Sequence, residues 1–298
     1  MLNLEPEIQS ILKLLDDSDE IYASVAKELI RRGSTVVPTL RFIIANGNKL
    51  EAERAQEVLE AIAFELSERR LREVFEEKDN KPDLEKAALA IALAAYPELD
   101  PRPYSELLDL LAFELDSHID STTALSEIPL IFGKYIAVEK QFKVNRESFY
   151  DPDNNYLNKV LERRKGSPVS IACLYLLVGD RLNLPVEGIA LPSHFLVRLK
   201  LDGKELYLDP YEEGGRALSR KECYERFPRF GGQAANFGAK SHVSDFFVPV
   251  GREEILIRML NNLISAYSYS GESRRWRNYV KHFQRLRAVV ELALGRHK

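Results

Sequence analysis

Residues 151–216, DPDNNYLNKVLERRKGSPVSIACLYLLVGDRLNLPVEGIALPSHFLVRLKLDGKELYLDPYEEGGR, decide how this chain folds. Asp151-Pro152-Asp153-Asn154 is turn chemistry, and a short helix follows it. Leu157, Val160 and Leu161 face inward on that helix, while Asn155, Asn158 and Glu162 share another face. Gly166 ends it, and Ser167-Pro168 reads as the N-cap and first position of the next helix. VSIACLYLLVGDRLN is apolar on nearly every side, which predicts a buried helix, and Pro185 stops it. PVEGIAL and HFLVRLKL follow as strands, and Asp202-Gly203 is a hairpin turn into ELYLDP. With a short turn, residues near 194–198 pair with residues near 207–211. A hydrogen bond between His194 and Asp209 is then within reach. The fold class is α+β, mostly helical, with a buried helix against an antiparallel sheet.

Outward from this core the chain reads as helices. Ile8, Ile11, Leu12, Leu14 and Leu15 form an apolar stripe. DDSDEIYASVAKELIRRG offers Asp17 or Ser18 as N-cap, acids in its first turn, bases in its last and Gly33 just beyond. A helix ending at Asn46-Gly47, one from about Lys49 to Glu77 and one from about Asp83 to Ala95 complete residues 1–100. LLDDSDEIYASVAKELIRRGSTVVPTLRFII resembles a single HEAT-type helical repeat; one repeat builds no extended surface, so a helical cap is the simpler reading. Leu107, Leu108, Leu111 and Phe113 form the apolar arc of a helix over 103–119. In the stretch 123–142, Pro129 and Gly133 predict a break or kink midway.

Beyond the core, ALSRKECYERFPRFGGQAANFG, with Gly231-Gly232, is expected to loop over one end of it. Two antiparallel helices then close the sequence, resembling one tetratricopeptide-type pair. The last helix is basic, with Arg274, Arg275, Arg277, Lys281, Arg285 and Arg287. An acidic partner or a nucleic acid is one reading of it, and a solvated face opposite Val280, Leu286, Val289 and Leu292 is the plainer one. The expected organisation is a helical region at 1–100, a core at 101–245 and a helical pair at 246–298.

The chain has 298 residues, 42 basic and 46 acidic, and a net charge of -4, which carries no global nucleic-acid signal. A protein or peptide partner is the expectation instead. Two cysteines are too few for a disulfide framework and lack metal spacing, so neither a metal nor another cofactor is expected. The compartment expected is a reducing cytoplasm. The most apolar window, AALAIALAA (87–95), is far too short to span a bilayer.

Four motifs lie together in the central stretch: N-x-x-L-E-R-R-x-G (158–166), L-P-x-x-G (184–188), H-F-L-V-R (194–198) and Asp209-Pro210 after a strand. In that combination the chain resembles the transglutaminase-like module of the SirB-type bacterial regulators, a module also found in some eukaryotic F-box proteins. The resemblance implies a papain-like core of helix plus sheet with helical additions. It also implies a site of cysteine, histidine and aspartate, the last two matching His194 and Asp209. The cysteine belongs at the start of the buried helix, where free N–H groups and the helix dipole favour a thiolate. The corresponding position here falls at or near Pro168, which cannot attack a carbonyl.

The expectation is therefore a regulatory or interaction protein with a disarmed site. The alternative is a hydrolase or acyl transferase acting on peptide or amide bonds through Ser170, with His194 as base and Asp209 orienting it. Cys173 is the lesser candidate nucleophile, since five positions rotate it about 140° from Pro168. Tyr156, Asn158, Arg198 and Tyr211 are the candidate cleft-lining residues. The run 209–215 is read as a flexible rim or a plain loop.

Overall fold

The structure is a computed structural model that describes residues 14–77, 81–191, 194–226 and 247–296. The expected positions Ile8, Ile11, Leu12 and Gly231-Gly232 lie outside the described residues. The chain divides into two compact units, one of residues 1–76 and 89–100, the other of residues 77–88 and 101–298. No helix among the described residues is long and apolar enough to cross a membrane.

In the first unit, helix α1 (Asp19–Arg32) has Asp19 and Glu20 in its first turn and Arg31 and Arg32 in its last, each opposing the local end of the dipole. It ends at Gly33, whose φ of 63° a residue with a Cβ adopts only under strain. Helices α2 (Val37–Asn46) and α3 (Lys49–Glu76) follow. Leu15, Val25, Leu29, Leu40, Val58 and Ile62 form the core between them. Arg54 is buried here because its guanidinium is used: Nη1 donates to the carbonyls of Leu15 and Asp17 at 2.9 and 2.6 Å, and Nη2 to Asp19 Oδ1. Helix α4 (Leu84–Ala92) has residues in both units.

The second unit begins with α5 (Arg102–Asp116). Leu108 and Leu111 are buried on it, but Phe113 is 74 % exposed. Two residues turn a helix by about 200°, which takes Phe113 off the apolar arc. The break expected at Pro129 and Gly133 is not where the chain changes course. Helix α6 (Ile128–Lys134) starts one residue before Pro129, where the missing N–H costs nothing, and runs through Gly133 into a π-turn at Tyr135–Glu139.

A parallel pair, β1 (Lys143–Val144) and β2 (Lys165–Gly166), brackets a 3₁₀ turn at Pro152–Asn155 and α7 (Leu157–Arg163). Helix α8 (Pro168–Arg181) is capped by Ser167, whose Oγ accepts from the Ser170 N–H, and every residue from Pro168 to Gly179 is buried. Five antiparallel strands form the sheet: β3 (Val186–Leu191), β4 (His194–Leu201), β5 (Lys204–Leu208), β6 (Ala217–Ser219) and β7 (Pro249–Val250), in the order β6-β5-β4-β3-β7. Asp202 and Gly203 turn β4 into β5 with φ of 49° and 71°, the paired positive values of a type I′ hairpin. The register sets Val197 against Leu208 and Arg198 against Tyr207.

Helix α9 (Arg220–Arg226) precedes the final antiparallel pair, α10 (Arg252–Tyr269) and α11 (Arg274–Arg296). Aromatic rings hold that pair together. Tyr267 stacks on Tyr279 at 4.5 Å, and its hydroxyl meets the Tyr156 hydroxyl at 2.9 Å.

His282 is buried on α11, and desolvation, with Arg285 adding to it, pushes its pKa down to about 3. The folded chain thus holds a neutral imidazole that the unfolded chain protonates near its ordinary value. Stability is expected to fall as pH drops from about 6.5 towards about 3. Urea titrations across that window are expected to give a shallower pH slope for His282→Leu than for the wild type.

Candidate functional site

Alternation along the strands assigns the side chains to two faces. Gly179 of α8 lies where a Cβ would come within 2.6 Å of Val186, so α8 packs on the face that carries Val186, Val197 and Leu199. His194, Leu196 and Arg198 belong to the other face. There Leu196 joins Ile189, Tyr207, Leu218, Cys223 and Phe247 in a second apolar cluster. Continuing the β4–β5 register past Leu208 sets Asp209 opposite Leu196 and Tyr211 opposite His194. Asp209 and Tyr211 thereby share the face of His194.

The contacts follow from that placement. His194 Nε2 lies 3.0 Å from Asp209 Oδ1, and the Tyr211 ring stacks on the imidazole at 5.1 Å with 13° between the planes. Asp209 Oδ1 also accepts from the Tyr211 N–H at 2.9 Å. The two side chains are 10 % and 5 % exposed, so the imidazole is nearly enclosed between ring and carboxylate. Burial, and next the Asp209 carboxylate, push the Tyr211 phenol up from its ordinary pKa.

Beside this pair is a cleft of about 600 Å³ lined by Arg146, His194, Asp209, Tyr211, Glu212, Glu213 and Arg226. The run 209–215, read as a flexible rim or a plain loop, forms the rim of this cleft and carries several hydrogen bonds. Glu212 N–H donates to the Asp209 carbonyl at 2.8 Å, and Gly215 N–H to the Glu212 carbonyl at 3.1 Å. Arg146 Nη2 donates to the Tyr211 carbonyl at 2.8 Å, and Arg226 pairs with Glu212 at 2.7 Å. At the base of the loop Gly215 meets Gly133 of α6, backbone against backbone. Arg146 and Arg226 carry no signal of this role in the sequence, since each reaches the cleft only through the fold.

The other candidate residues are placed as follows. Ser170 is fully buried, and its Oγ donates to the Asn154 carbonyl at 2.5 Å, with Ser167 Oγ at 3.0 Å. The hydrogen bonds of its Oγ run to Asn154 and Ser167, and none among the described residues runs to His194. Cys173 is buried on α8 and burial pushes its thiol up to about 12; the same effect takes Cys223 to about 12. Neither thiol has the exposed, electropositive setting that makes a thiolate. Iodoacetamide at pH 8 is expected to leave both unmodified in the native protein and to alkylate both in urea, as mass spectrometry would read directly.

Of the four cleft candidates, Tyr211 lines the cleft and the other three lie elsewhere. Tyr156 is buried against Tyr267 of α10. Asn158 is buried on α7, away from the cleft, with its Oδ1 unpartnered among the described residues. Arg198 is four residues along β4 from His194, about 13 Å, and is clamped by Glu187 at 2.6 Å and Glu205 at 3.2 Å. Those two ion pairs occupy its guanidinium.

Pro168 sits at the end of α8 nearest the pair. The turn at 182–185 reverses the chain, so α8 and β3 run antiparallel. From Pro168 to Gly179 the helix rises about 16 Å, and β3 spans about 17 Å. The α8 N-terminus therefore reaches the end of the sheet that carries His194. Burial, and next the Asp209 carboxylate, push up the phenol of Tyr175, two turns along and on the side of Pro168. Pro168 itself has neither a nucleophilic atom nor an N–H, and no α8 residue lines the cleft. Among the described residues no group of three His, Cys, Asp or Glu side chains could hold a metal ion.

Comparison with known proteins agrees with this architecture at the level of the superfamily. The family model described as the Transglutaminase-like superfamily matches residues 102–261, which include both members of the His194–Asp209 pair. A UPF0162 protein of Xylella fastidiosa is 34 % identical over 213 residues, covering 71 % of this chain and 73 % of that protein. A UPF0162 protein of Pseudomonas aeruginosa is 29 % identical over 191 residues, covering 64 % of this chain and 67 % of its own. F-box only protein 21 of Mus musculus is 35 % identical over 135 residues, which are 42 % of this chain and 19 % of that protein. No solved structure matches the chain. With more than half its length matched, and a bacterial UPF0162 relative aligned over most of both sequences, the chain belongs to the transglutaminase-like superfamily.

Proposed function

We propose that this chain is a non-catalytic regulatory or protein-interaction protein of the SirB type, built on a transglutaminase-like, papain-like fold. In this reading the cleft beside His194 is kept to bind a peptide segment of a partner rather than to cut it. The observation that carries it is the state of the nucleophile position. Pro168 supplies no attacking atom, and the hydroxyl of Ser170 is committed to the Asn154 carbonyl inside the protein. A serine needs a base in hydrogen-bond contact to become a nucleophile, and the contact here is with a carbonyl instead.

His194 and Asp209 then act as a strut. Their hydrogen bond and the Tyr211 stack hold the 209–215 rim against the sheet. The match to F-box only protein 21, where the shared region is a fifth of a longer chain, supports an interaction setting for the module.

A second reading, a hydrolase or acyl transferase using Ser170, His194 and Asp209, draws on the intact 3.0 Å contact between the last two. Activity-based labelling separates the two readings. A serine-directed fluorophosphonate and a thiol-directed iodoacetamide probe are expected to leave the native protein unlabelled. Arg146→Glu and Arg226→Glu are expected to disrupt partner capture that Ser170→Ala leaves intact. Fluorophosphonate labelling that Ser170→Ala abolishes would overturn the non-catalytic reading.

A further inference from the structure

Helix α11 carries seven basic residues against one acid, Glu291, on a chain whose net charge is -4. The rest of the chain therefore holds a net charge of -10. The helix is thus net positive on a net negative chain, and its cations are ordered. At about 100° per residue, Arg277, Lys281, Arg285, Ala288 and Leu292 fall within an arc of about 80°. All five are exposed, and the arc contains no acidic residue. Leu292, expected on the buried side, is 66 % exposed because the same rotation places it with Lys281 rather than with Leu286.

Arg277, Lys281 and Arg285 join no ion pair among the described residues, although α11 makes such a pair between Arg287 and Glu291 on another face. A face built only for solvation would mix its charges, as α1 and α3 do with Glu28–Arg31 and Glu68–Arg72. The α11 face instead presents cations at every fourth residue over its first half and small and large apolar groups over its second.

We infer that this face of α11 is a docking surface for an acidic amphipathic helix of a partner protein. Carboxylates at every fourth position would meet the three cations, and an apolar pair further along would cover Ala288 and Leu292 over about 22 Å. Charge complementarity selects an acidic partner. One feature selects a protein helix over a nucleic acid: the apolar continuation through Ala288 and Leu292 has no counterpart on a phosphate backbone. The surface is separate from the cleft, and it stands whether or not the cleft binds a peptide.

The test uses the full chain and a fluorescein-labelled helical peptide of about five turns. That peptide carries glutamates at every fourth position and then two leucines on the same face. Its control has the same composition with the pattern shuffled. Fluorescence anisotropy is expected to show the patterned peptide binding at least tenfold tighter than the control, and more weakly as salt rises. The triple variant Arg277→Glu/Lys281→Glu/Arg285→Glu is expected to lose at least tenfold. It should recover binding to a peptide with lysines in place of the glutamates, which excludes misfolding as the cause. Leu292→Glu is expected to weaken the patterned peptide without changing the circular dichroism of the protein. Equal binding of patterned and shuffled peptides, tighter binding of a single-stranded or duplex oligonucleotide, or self-association that the triple variant abolishes would each overturn the proposal.

Discussion

Gly215→Ala is expected to destabilise the protein by about 4 kcal/mol, combining a left-handed backbone penalty with overpacking against main chain. Gly215 has a φ of 64°, and a Cβ there would lie 2.4 Å from the Gly133 carbonyl carbon and oxygen and 2.5 Å from the Lys134 nitrogen. None of these atoms belongs to a flexible side chain, so nothing can swing aside. The reciprocal change, Gly133→Ala, would place its Cβ 2.2 Å from the Gly215 carbonyl oxygen at an ordinary helical backbone position. It carries the steric part alone, and a loss of about 3 kcal/mol is expected. Urea denaturation of the two variants measures both losses. The order matters as much as the size, because equal losses would mean that the positive φ contributes nothing. The same substitutions should loosen the rim of the cleft, since Tyr211, Glu212 and Glu213 hang from this contact. Faster amide exchange over 209–215 would report it.

Asn154→Leu is expected to cost about 3 kcal/mol, by leaving the buried Asn145 amide and two part-buried carbonyls without their partner in a site that leucine fills by volume. The Asn154 side chain is 1 % exposed and fully used. Its Nδ2 donates to the carbonyls of Ser148 and Phe149 at 2.7 and 3.3 Å, and its Oδ1 accepts from Asn145 Nδ2 at 3.0 Å. Its backbone carbonyl receives the Ser167 N–H and the Ser170 hydroxyl, so this one residue ties the 148–151 turn to the start of α8. Asn154→Asp keeps the shape and exchanges donors for acceptors. It is expected to be at least as damaging as Asn154→Leu, because two carbonyls would then face a carboxylate. Near-wild-type stability of the aspartate variant in urea would sink this account. In both variants, chymotrypsin should cut faster at Phe149 and Tyr150, which are already half exposed on that turn.

Ser170 and Tyr156 illustrate how differently the site and its frame can be read. The N-cap at Ser167, the helix start at Pro168 and the burial of all sides of α8 are local chemistry, written in adjacent residues, and they are legible. The hairpin at Asp202-Gly203 is equally local, because the I′ turn needs two positive φ values and these two residues tolerate them. Once that turn is set, strand arithmetic brings His194 near Asp209 with no further information. The hydroxyl of Ser170 is another matter. Its acceptor, the Asn154 carbonyl, is sixteen residues away across a separate helix. Tyr156, Asn158 and Arg198 are polar residues close in sequence to the site, and that proximity suggests a cleft. Tyr156 and Arg198 have better partners on different elements, Tyr267 and the Glu187–Glu205 pair, and Asn158 is buried on α7.

By itself the amino-acid sequence determined the α+β class, the buried helix with its serine cap, the hairpin register and the meeting of His194 with Asp209. All of these rest on interactions within a few residues or on the two-residue period of a strand. Only the tertiary structure decided that Ser170 is spent on Asn154, that Arg146 and Arg226 line the cleft, and that the 209–215 rim is locked by Gly133 against Gly215. It also decided that Leu292 lies with the cations of α11. Such facts depend on which distant surfaces the packing brings together, and hydrogen-bond and steric fit between them act over a few ångströms. The spacing of residues along the chain holds no record of that distance.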